Sequence, residues 1–362
     1  MIFDDLTAMR RLDSQKLIDQ IFQLPDQLEN AWNLGQFLPL PDREGLLNIV
    51  VAGVGDSVTG LEMAASYVSN MCPLSISICR QYSLPVWVRG PEMLVLVTSH
   101  TGNDEEAGFV FEQAHARGCR VVVLTTGGRL AELGQQQGDV CWLFEYAGQP
   151  RQAVGFSFGF FIAGLFRMGL IPDPQPDLRD ALHALRNQQT NLLPDVPVAF
   201  NPAKRLAGQM IGRWVFVLAA EDLEPVARRW KSQINQIAKT WAGFEMLPEA
   251  DHHTPAGLSH PEGALMQMIA LFLAAPSNHP RNQRRLDLTR QMFIVQGINT
   301  DVLYAKGECS MAYLWTLVLL GDYTAYYLAM ANGEDPTPVE AVTLLALELA
   351  QEKKPDPNSH LS

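Results

Sequence analysis

Short, uninterrupted apolar runs recur along the chain, and they constrain the fold more than any other feature of the sequence. In the first half each run ends in a turn that contains glycine. The runs are Leu46–Ala52, Met93–Thr98, Arg120–Thr126 and Val140–Phe144. Strands that are apolar on both faces and alternate with helices are typical of a parallel sheet covered on both sides. The first half is therefore predicted to be an α/β domain.

The second half repeats the alternation of strand, turn and helix. Strands are predicted at Trp214–Ala219 and Thr300–Tyr304, with a strand-like run at Ala264–Leu273. No sequence repeat of fixed period links the two halves, so any duplication is architectural at most. The expected fold class is α/β, with two doubly wound parallel-sheet domains flanked by helices. The helices predicted between these strands are Glu221–Thr240, His279–Gln296 and Met311–Met330.

The length of 362 residues suits two domains of ordinary size. We expect an N-terminal helical segment at 1–40, a first domain at 41–175 and a second domain at 196–352. Three prolines within Ile171–Asp177 end the preceding helical pattern, so a linker is predicted at 176–195. The last residues, 353–362, are predicted to be a disordered tail.

Charge and composition exclude several classes of function. The net charge of −12 argues against non-specific nucleic-acid binding, which needs a basic face. The first residues lack a signal-peptide pattern, and no apolar span reaches the ~20 residues that cross a membrane. Five cysteines without a C-x-x-C pair indicate neither a disulfide framework nor a zinc site. We therefore expect buried thiols and a cytoplasmic protein.

The turn Gly53–Gly60 follows the first predicted strand, where open α/β sheets bind ligands. A dinucleotide fingerprint needs glycine at its sixth position, which here is Val58, so that interpretation is weak. Two alternatives stay open. The segment is either a tight turn with Asp56 or Ser57 as the N-cap, or a ligand loop that uses Gly55 and Ser57.

The segment from Thr98 to Glu106 follows the second predicted strand and combines hydroxyl groups, a glycine and a helix start. It suits an anion cradle of hydroxyl and backbone N–H groups, or a capped turn whose carboxylates complement the helix dipole. Arg151, before another predicted helix, suits a phosphate or a structural carboxylate. The candidate residues of the cradle are Ser99, Thr101, Gly102, Asn103 and Asp104.

Two segments of the second half carry further candidate groups. The run Leu247–His253 contains acidic and histidine residues, but two adjacent histidines do not easily face one ion, and a surface loop is the alternative to a metal site. Lys306 offers a cation after the last predicted strand. No metal and no organic cofactor is predicted.

The order of these segments resembles the bifunctional phosphoglucose/phosphomannose isomerases of the sugar-isomerase (SIS) fold. Ser99–Asn103 is similar to that family's S-x-S-G-N-T loop, and Pro150-Arg151 to its P-R motif. Arg229–Lys239 resembles its R-x-K…N-E-N-A-K helix, and Pro248–His252 resembles its P-E-A-N-H loop. Lys306-Gly307, Gly321-Asp322 and Asp335-Pro336 are similar to its C-terminal signature.

The resemblance implies two SIS domains and a homodimer that interconverts aldose and ketose phosphates through an enediol in the inter-domain cleft. Ser99 and Thr101 would hold the phosphate. His252 would open the sugar ring, in its own site or in a partner's. Arg151 and Lys306 would contact the sugar or stabilise the enediolate. The base that moves the proton between C1 and C2 would fall on position 236, which is Gln236.

Three residues depart from the family pattern. The neutral amide of Gln236 cannot act as a general base. Asp104 replaces a threonine of the phosphate loop, where two like charges at ~4 Å cost roughly 4 kcal/mol at an effective dielectric constant of 20, unless Asp104 points outward as an N-cap. Asp56 stands where the family usually has glycine.

Three hypotheses follow from these departures. The first is an active isomerase whose base has moved to Glu245, Glu249 or Glu308. The second is a non-catalytic protein that binds a carbohydrate derivative, with a regulatory role. The third is an isomerase or binding protein for a less anionic sugar derivative.

Overall fold

The computed structural model describes residues 2–351, and the predicted tail 353–362 lies outside this range. The strands are β1 Asn48–Ala52, β2 Ser75–Cys79, β3 Met93–Thr98, β4 Arg120–Thr125, β5 Val140–Leu143, β6 Trp214–Ala220, β7 Ala242–Leu247, β8 Met268–Ala274 and β9 Asn299–Tyr304. The first sheet has five parallel strands in the order β2-β1-β3-β4-β5. The second has four parallel strands in the order β7-β6-β8-β9. The predicted α/β class with two parallel-sheet domains is confirmed.

Helices cover both sheets and also fill the space between them. They are α1 Leu6–Leu12, α2 Leu17–Phe22, α3 Leu24–Gly35, α4 Thr59–Tyr67, α5 Glu105–Ala116, α6 Gly128–Gln137, α7 Val154–Arg167, α8 Gln175–Gln189, α9 Pro202–Met210, α10 Glu224–Ala238, α11 Glu262–Leu265, α12 Pro280–Val295, α13 Ser310–Asn332 and α14 Glu340–Gln351. The central layer between the sheets includes α4, α7, α8, α10 and α13. No helix within residues 2–351 is both long and apolar enough to cross a membrane.

One hydrophobic core runs through both domains. Alternate residues of each central strand, such as Ile49 in β1 and Val217 in β6, face this shared core. Their neighbours along the strands, such as Val50 and Leu218, face two separate outer cores. The two sheets therefore sandwich a common layer of helices, and the domains are packed against each other through it.

The segment predicted as a linker, 176–195, lies mostly in α8 and is packed into the shared core. Leu178, Ala181 and Leu185 are all buried there. The polar residues of this helix alternate with these apolar residues at helical spacing, so the helix is amphipathic.

Three details differ from the predicted elements. Strands β2 and β7 were not predicted, because both are sheet edges with half-exposed residues and lack a continuous apolar run. The predicted run Ala264–Leu273 is divided into the end of α11 and most of β8. All five cysteines are unpaired, but Cys79 alone is buried and the other four are half-buried.

Candidate functional site

A narrow cavity lies at the carboxyl edge of the first sheet. The chain leaves β1 to form β2 on one side of it and later β3 on the other, so the space above β1 and β3 is a topological switch point. Ligands of open α/β sheets bind at such points. The cavity is lined by Asp56, Ser57, Thr98, His100, Leu124, Phe144, Pro150, Ala153 and Ser157.

The glycine-rich turn after β1 is shaped by close packing. A Cβ at Gly53 would lie 2.5 Å from the carbonyl oxygen of Thr98, and a Cβ at Gly60 would lie 2.3 Å from that of Val154. Ser57 donates its hydroxyl to the carbonyl oxygen of Val54 at 2.7 Å, and neither it nor Asp56 caps the helix that follows. Of the alternatives for this turn, side-chain capping is therefore excluded.

The neighbouring Gly55 is exposed, with a φ of +60°. This left-handed backbone conformation favours glycine, and no atom crowds the position. Gly55 therefore lets the chain turn at the mouth of the cavity.

The loop after β3 is organised around Ser99, which is fully buried. Its hydroxyl accepts the backbone N–H of Gly102 at 2.9 Å and donates to Oδ2 of Asp104 at 2.7 Å. Asp104 occupies the N-cap position of α5, but its side chain makes no capping hydrogen bond. The outward orientation considered for Asp104 is therefore wrong, because its carboxylate turns back and takes the hydroxyl group predicted to hold phosphate.

In the rest of this loop Gly102 is closely packed, whereas two polar side chains face the solvent. Gly102 has a φ of +73°, and a Cβ there would lie 1.8 Å from the carbonyl oxygen of Gly127. Thr101 and Asn103 are exposed, and the Thr101 hydroxyl accepts the Asn103 N–H at 3.3 Å. Both side chains are accessible to a ligand.

Arg151 lies at the junction of the two domains and is 3% exposed. Its Nη2 donates to the carbonyl oxygens of Pro336 and Thr337, at 2.9 and 2.8 Å. Within residues 2–351 its Nε has no hydrogen-bond partner. Burial lowers the pKa of Arg151, and the negative charge of Asp56 partly offsets this effect. The guanidinium thus lies near Asp56 and donates part of its hydrogen bonds to the segment that follows α13.

A buried ion pair supports Arg151 from the second domain. Arg229 of α10 donates from Nε and Nη2 to the two carboxylate oxygens of Asp322 in α13, at 3.1 and 2.6 Å. Its Nη1 donates to the backbone carbonyl oxygen of Arg151 at 3.0 Å. The sequence comparison grouped Arg229 and Asp322 with separate motifs and did not predict their contact.

Gln236, in the last turn of α10, meets Asp56 from the first domain. Its Nε2 donates to Oδ2 of Asp56 at 2.8 Å and to the hydroxyl of Ser232 at 2.9 Å. The Ser232 hydroxyl donates to Oδ1 of Asp56 at 3.2 Å. Two of the departures from the family pattern therefore contact each other across the domain boundary.

The glutamates proposed as a relocated base lie elsewhere. Glu245, within β7, accepts a hydrogen bond from Thr254, while Glu249 and Glu308 are exposed after β7 and β9. Because α10 starts at the carboxyl end of β6 and runs back along the sheet, Gln236 lies at the opposite end of this helix from those loops. Within one chain Asp56 is the carboxylate that contacts Gln236, and a catalytic role for the three glutamates stays a prediction.

His252 and Lys306 also lie at the carboxyl edge of the second sheet, after β7 and β9, and both are exposed or half-exposed. The backbone N–H of Lys306 donates to Thr316 near the start of α13, whereas Arg151 contacts residues beyond the end of that helix. The helix is about 34 Å long at 1.5 Å per residue. One chain therefore brings Arg151 and Gln236 together at the cavity, and leaves His252 and Lys306 outside it.

His100 was not proposed as a site residue, yet it lines the cavity. Its ring contacts Phe144 and Tyr146 edge-on, with centroids 5.9 and 6.1 Å away. Burial lowers its pKa, and the charge of Asp104 partly offsets this effect. The imidazole is therefore neutral near pH 7. Its place directly after a central strand was the one signal in the sequence.

The described residues 2–351 contain no group of three or more His, Cys, Asp or Glu side chains arranged to hold a metal ion. Of the acidic residues after β7, Asp251 is bound within its own domain. Asp251 accepts hydrogen bonds from Arg285 and Thr289 at 2.8 and 2.6 Å.

Comparison with known proteins associates the chain with one group of sugar isomerases. The family model described as bacterial phospho-glucose isomerase C-terminal SIS domain matches residues 199–349. The bifunctional phosphoglucose/phosphomannose isomerase of Caldicellulosiruptor bescii is 29% identical over 341 residues, which cover 93% of this chain and 100% of that protein. The protein of the same name from Aquifex aeolicus is 29% identical over 274 residues, which cover 75% and 80%.

Solved structures show the same architecture. A glucose-6-phosphate isomerase like protein from Thermus thermophilus superposes with a TM-score of 0.63 at 20% identity. The superposition covers 94% of this chain and 99% of that one. At this identity the likeness concerns the fold, and it supports the arrangement of two SIS domains.

Proposed function

We propose that the chain is a member of the bifunctional phosphoglucose/phosphomannose isomerases, to which it is similar over most of its length, and that it is an aldose–ketose isomerase of a phosphorylated hexose. Candidate substrates are glucose-6-phosphate, mannose-6-phosphate and fructose-6-phosphate. The observation that carries this proposal is the meeting of the two domains at Asp56, which lines the cavity together with the loop after β3 and contacts the end of α10. This isomerisation moves protons within one molecule and needs no cofactor.

The cavity residues have complementary roles in this proposal. The phosphate binds at the loop after β3, through the Thr101 hydroxyl and the side-chain and backbone N–H groups of Asn103. Arg151 supplies positive charge to the sugar oxygens as the enediolate forms. Asp104 competes with the phosphate for the hydroxyl of Ser99, so we expect weak binding of the phosphorylated sugar.

We propose that the active unit is a homodimer. His252 and Lys306 lie at the accessible edge of the second sheet, where a second copy can present them to the cavity of its partner. Helix α14 supports this arrangement, because it exposes apolar side chains in one chain. These are Val342, Leu344, Leu345, Leu347 and Leu349, each more than half exposed, from 53% to 62%. Unpaired thiols and the acidic net charge support a cytoplasmic protein that does not bind nucleic acid.

A non-catalytic binding protein is the second candidate function, and the amide at Gln236 favours it. The hydrogen bond from Ser99 to Asp104 favours a ligand without a phosphate, as in the hypothesis of a less anionic sugar. Both alternatives share the cavity with the isomerase proposal and differ from it in chemistry or ligand. They are therefore separated by turnover and by ligand preference.

The test incubates the purified full-length chain with each of the three hexose phosphates and follows interconversion by NMR. Conversion of any of them supports the isomerase. Binding measured by calorimetry without conversion supports the non-catalytic candidate. A rise in melting temperature with free hexoses and not with their phosphates supports the less anionic ligand. Light scattering at several concentrations reports the dimer, and a purely monomeric protein contradicts that part.

A further inference from the structure

Two side chains of α10, Ser232 and Gln236, donate hydrogen bonds to Asp56. Each carboxylate oxygen of Asp56 accepts one hydrogen bond, from Ser232 at 3.2 Å and from Gln236 at 2.8 Å. The Gln236 amide uses its second N–H on the Ser232 hydroxyl. Both side chains donate to Asp56, so its carboxylate acts only as an acceptor in this network.

The carboxylate also faces the site. Asp56 is the only acidic residue among the described residues that line the cavity, and it is half-buried. A carboxylate offers about four acceptor positions, of which α10 uses two. The other two remain available to a ligand in the cavity. Gln236 itself is not part of the lining and stands behind Asp56.

The charge environment suits proton transfer. Arg151 is close enough that the charge of Asp56 affects its pKa, and its Nε lacks a partner among the described residues. An arginine at this position stabilises the negative charge that appears on the substrate oxygens. The neutral amide of Gln236 holds the carboxylate in place without adding a competing charge.

We propose that Asp56 is the catalytic base of this cleft, which rests on the isomerase function proposed above. Asp56 removes the proton from C2 of the open-chain aldose phosphate. The C2–H electron pair forms the C1–C2 double bond, and O1 takes a proton from a neighbouring acid to give the enediol. The protonated Asp56 then returns its proton to C1. O2 gives its proton to the conjugate base of that acid, and the ketose carbonyl forms at C2.

This assignment makes Gln236 a positioning residue. Its amide fixes the orientation of the carboxylate through the hydrogen bond at 2.8 Å. Geometry comes before pKa in the choice of a general base, and Asp56 combines that geometry with the basic group that Gln236 lacks.

The test compares the full-length wild-type chain with Asp56→Asn and with the double variant Asp56→Asn/Gln236→Glu. The double variant exchanges the carboxylate and the amide between the two positions and keeps one hydrogen-bonding pair. Asp42→Asn is the matched control, because its side chain is 70% exposed at the far edge of the first sheet. Readouts are the turnover of fructose-6-phosphate, deuterium uptake at carbon in D₂O, the dissociation constant by calorimetry and the melting temperature.

We expect Asp56→Asn to lose about 10²–10⁴-fold in turnover and in deuterium uptake, the usual effect of removing a general base. Its dissociation constant should change less than about tenfold, since the amide is isosteric. The double variant should stay as slow as Asp56→Asn, because position 236 stands behind position 56 and does not line the cavity, and Asp42→Asn should match the wild type.

Two results overturn the inference alone. They are an active wild type whose Asp56→Asn variant keeps its turnover, and a folded double variant with the turnover of the wild type. If Asp56→Asn is unfolded, the double variant carries the test, because it retains a carboxylate–amide pair. A wild type that neither converts any of the three hexose phosphates nor exchanges deuterium overturns the proposed function and this inference together.

Discussion

The two sheets of this protein have the same construction and treat their switch points differently. In the first, Asp56 follows β1, lines the cavity of its own domain and contacts Gln236 of the other domain. In the second, Glu221 follows β6, and its carboxylate is bound within its own domain. Its oxygens accept from the His279 N–H at 2.9 Å, the Asn278 amide at 3.3 Å and the Asn282 amide at 2.7 Å.

The difference shows how one fold gives a site in one domain and a surface in the other. The carboxyl edge of the first sheet is closed by α10, which crosses from the second domain. The carboxyl edge of the second sheet has no counterpart in the described chain, and its His252 and Lys306 are accessible. The Asp56 carboxylate accepts two hydrogen bonds and faces a cavity, whereas that of Glu221 accepts three and maintains the structure of its own domain.

The largest expected effect tests whether His252, at the accessible edge of the second sheet, takes part in the reaction at the cavity of the first sheet. We expect His252→Ala to lose about 10²–10⁴-fold in turnover, as for removal of an acid–base group, with stability changed by less than about 0.5 kcal/mol because the side chain is exposed. Turnover of fructose-6-phosphate and the melting temperature measure the two effects. Lys231→Ala, on the half-exposed face of α10, serves as the control.

Mixing two inactive variants locates His252. If it acts in the partner's cavity, a refolded equal mixture of His252→Ala and Asp56→Asn should recover about a quarter of the wild-type activity, since half of the dimers are mixed and each has one intact site. A mixture that stays as inactive as its components would place His252 in its own chain's site or outside catalysis.

The next largest effect concerns the buried ion pair of Arg229 and Asp322, which supports the contact of α10 with the first domain. Replacing Asp322 by alanine leaves Arg229 buried without its partner, and both side chains are 1% exposed. Breaking a buried pair in this way costs about 3–5 kcal/mol in the free energy of unfolding. The exposed pair of Arg228 and Glu224 is the control, and Glu224→Ala should cost at most about 1 kcal/mol. Urea denaturation measures both, and equal losses would contradict the role of the buried pair.

The sequence predicted the sheets well where strands are central. Runs such as Met93–Thr98 are apolar on both faces because helices cover both sides of a parallel sheet. It missed the edge strand Ser75–Cys79, where exposure removes the need for a continuous apolar run. The residues 176–195 were predicted to be a linker because of the prolines within Ile171–Asp177, although the buried face of α8 packs them into the shared core.

The sequence predicted individual residues of the candidate site but not which of them are in contact. The motifs identified Gln236 and noted Asp56, but they lie 180 positions apart in the chain, and no local pattern joins them. The sequence favours glutamates of the second half as a relocated base, because the direction in which α10 runs is not visible in the sequence. The same limit applies to His252 and Lys306, whose distance from the cavity depends on where α10 and α13 end.

A smaller effect should separate the loop after β3 from an ordinary phosphate cradle. Asp104→Thr removes the carboxylate that takes the Ser99 hydroxyl and replaces a negative charge with a hydroxyl. We expect glucose-6-phosphate to bind about 10–100-fold more tightly, a part of the roughly 4 kcal/mol that two like charges cost at ~4 Å. Glu105→Gln, the next carboxylate along the chain, is the control. Calorimetry measures the change, and unchanged or weaker binding would show that phosphate does not use this loop.

The smallest effect distinguishes the histidines of the two edges by their response to pH. Burial lowers the pKa of His100 below its ordinary value of 6.5, whereas His252 is exposed. The unfolded chain therefore binds a proton at position 100 more readily than the folded one. The contribution of His100 to the free energy of unfolding should be full above pH 6.5 and fall as the pH drops through that value toward the lower folded pKa.

Urea denaturation at pH 8 and pH 5 checks this expectation. The wild type should lose more stability on acidification than His100→Gln, which cannot be protonated at either pH. His252→Gln should follow the wild type, because it leaves His100 in place and replaces an exposed side chain. If His100→Gln loses as much stability as the wild type, burial at the cavity does not oppose protonation of the imidazole. The contacts of Asp56 with α10 would then be the remaining sign that the first edge is closed to solvent.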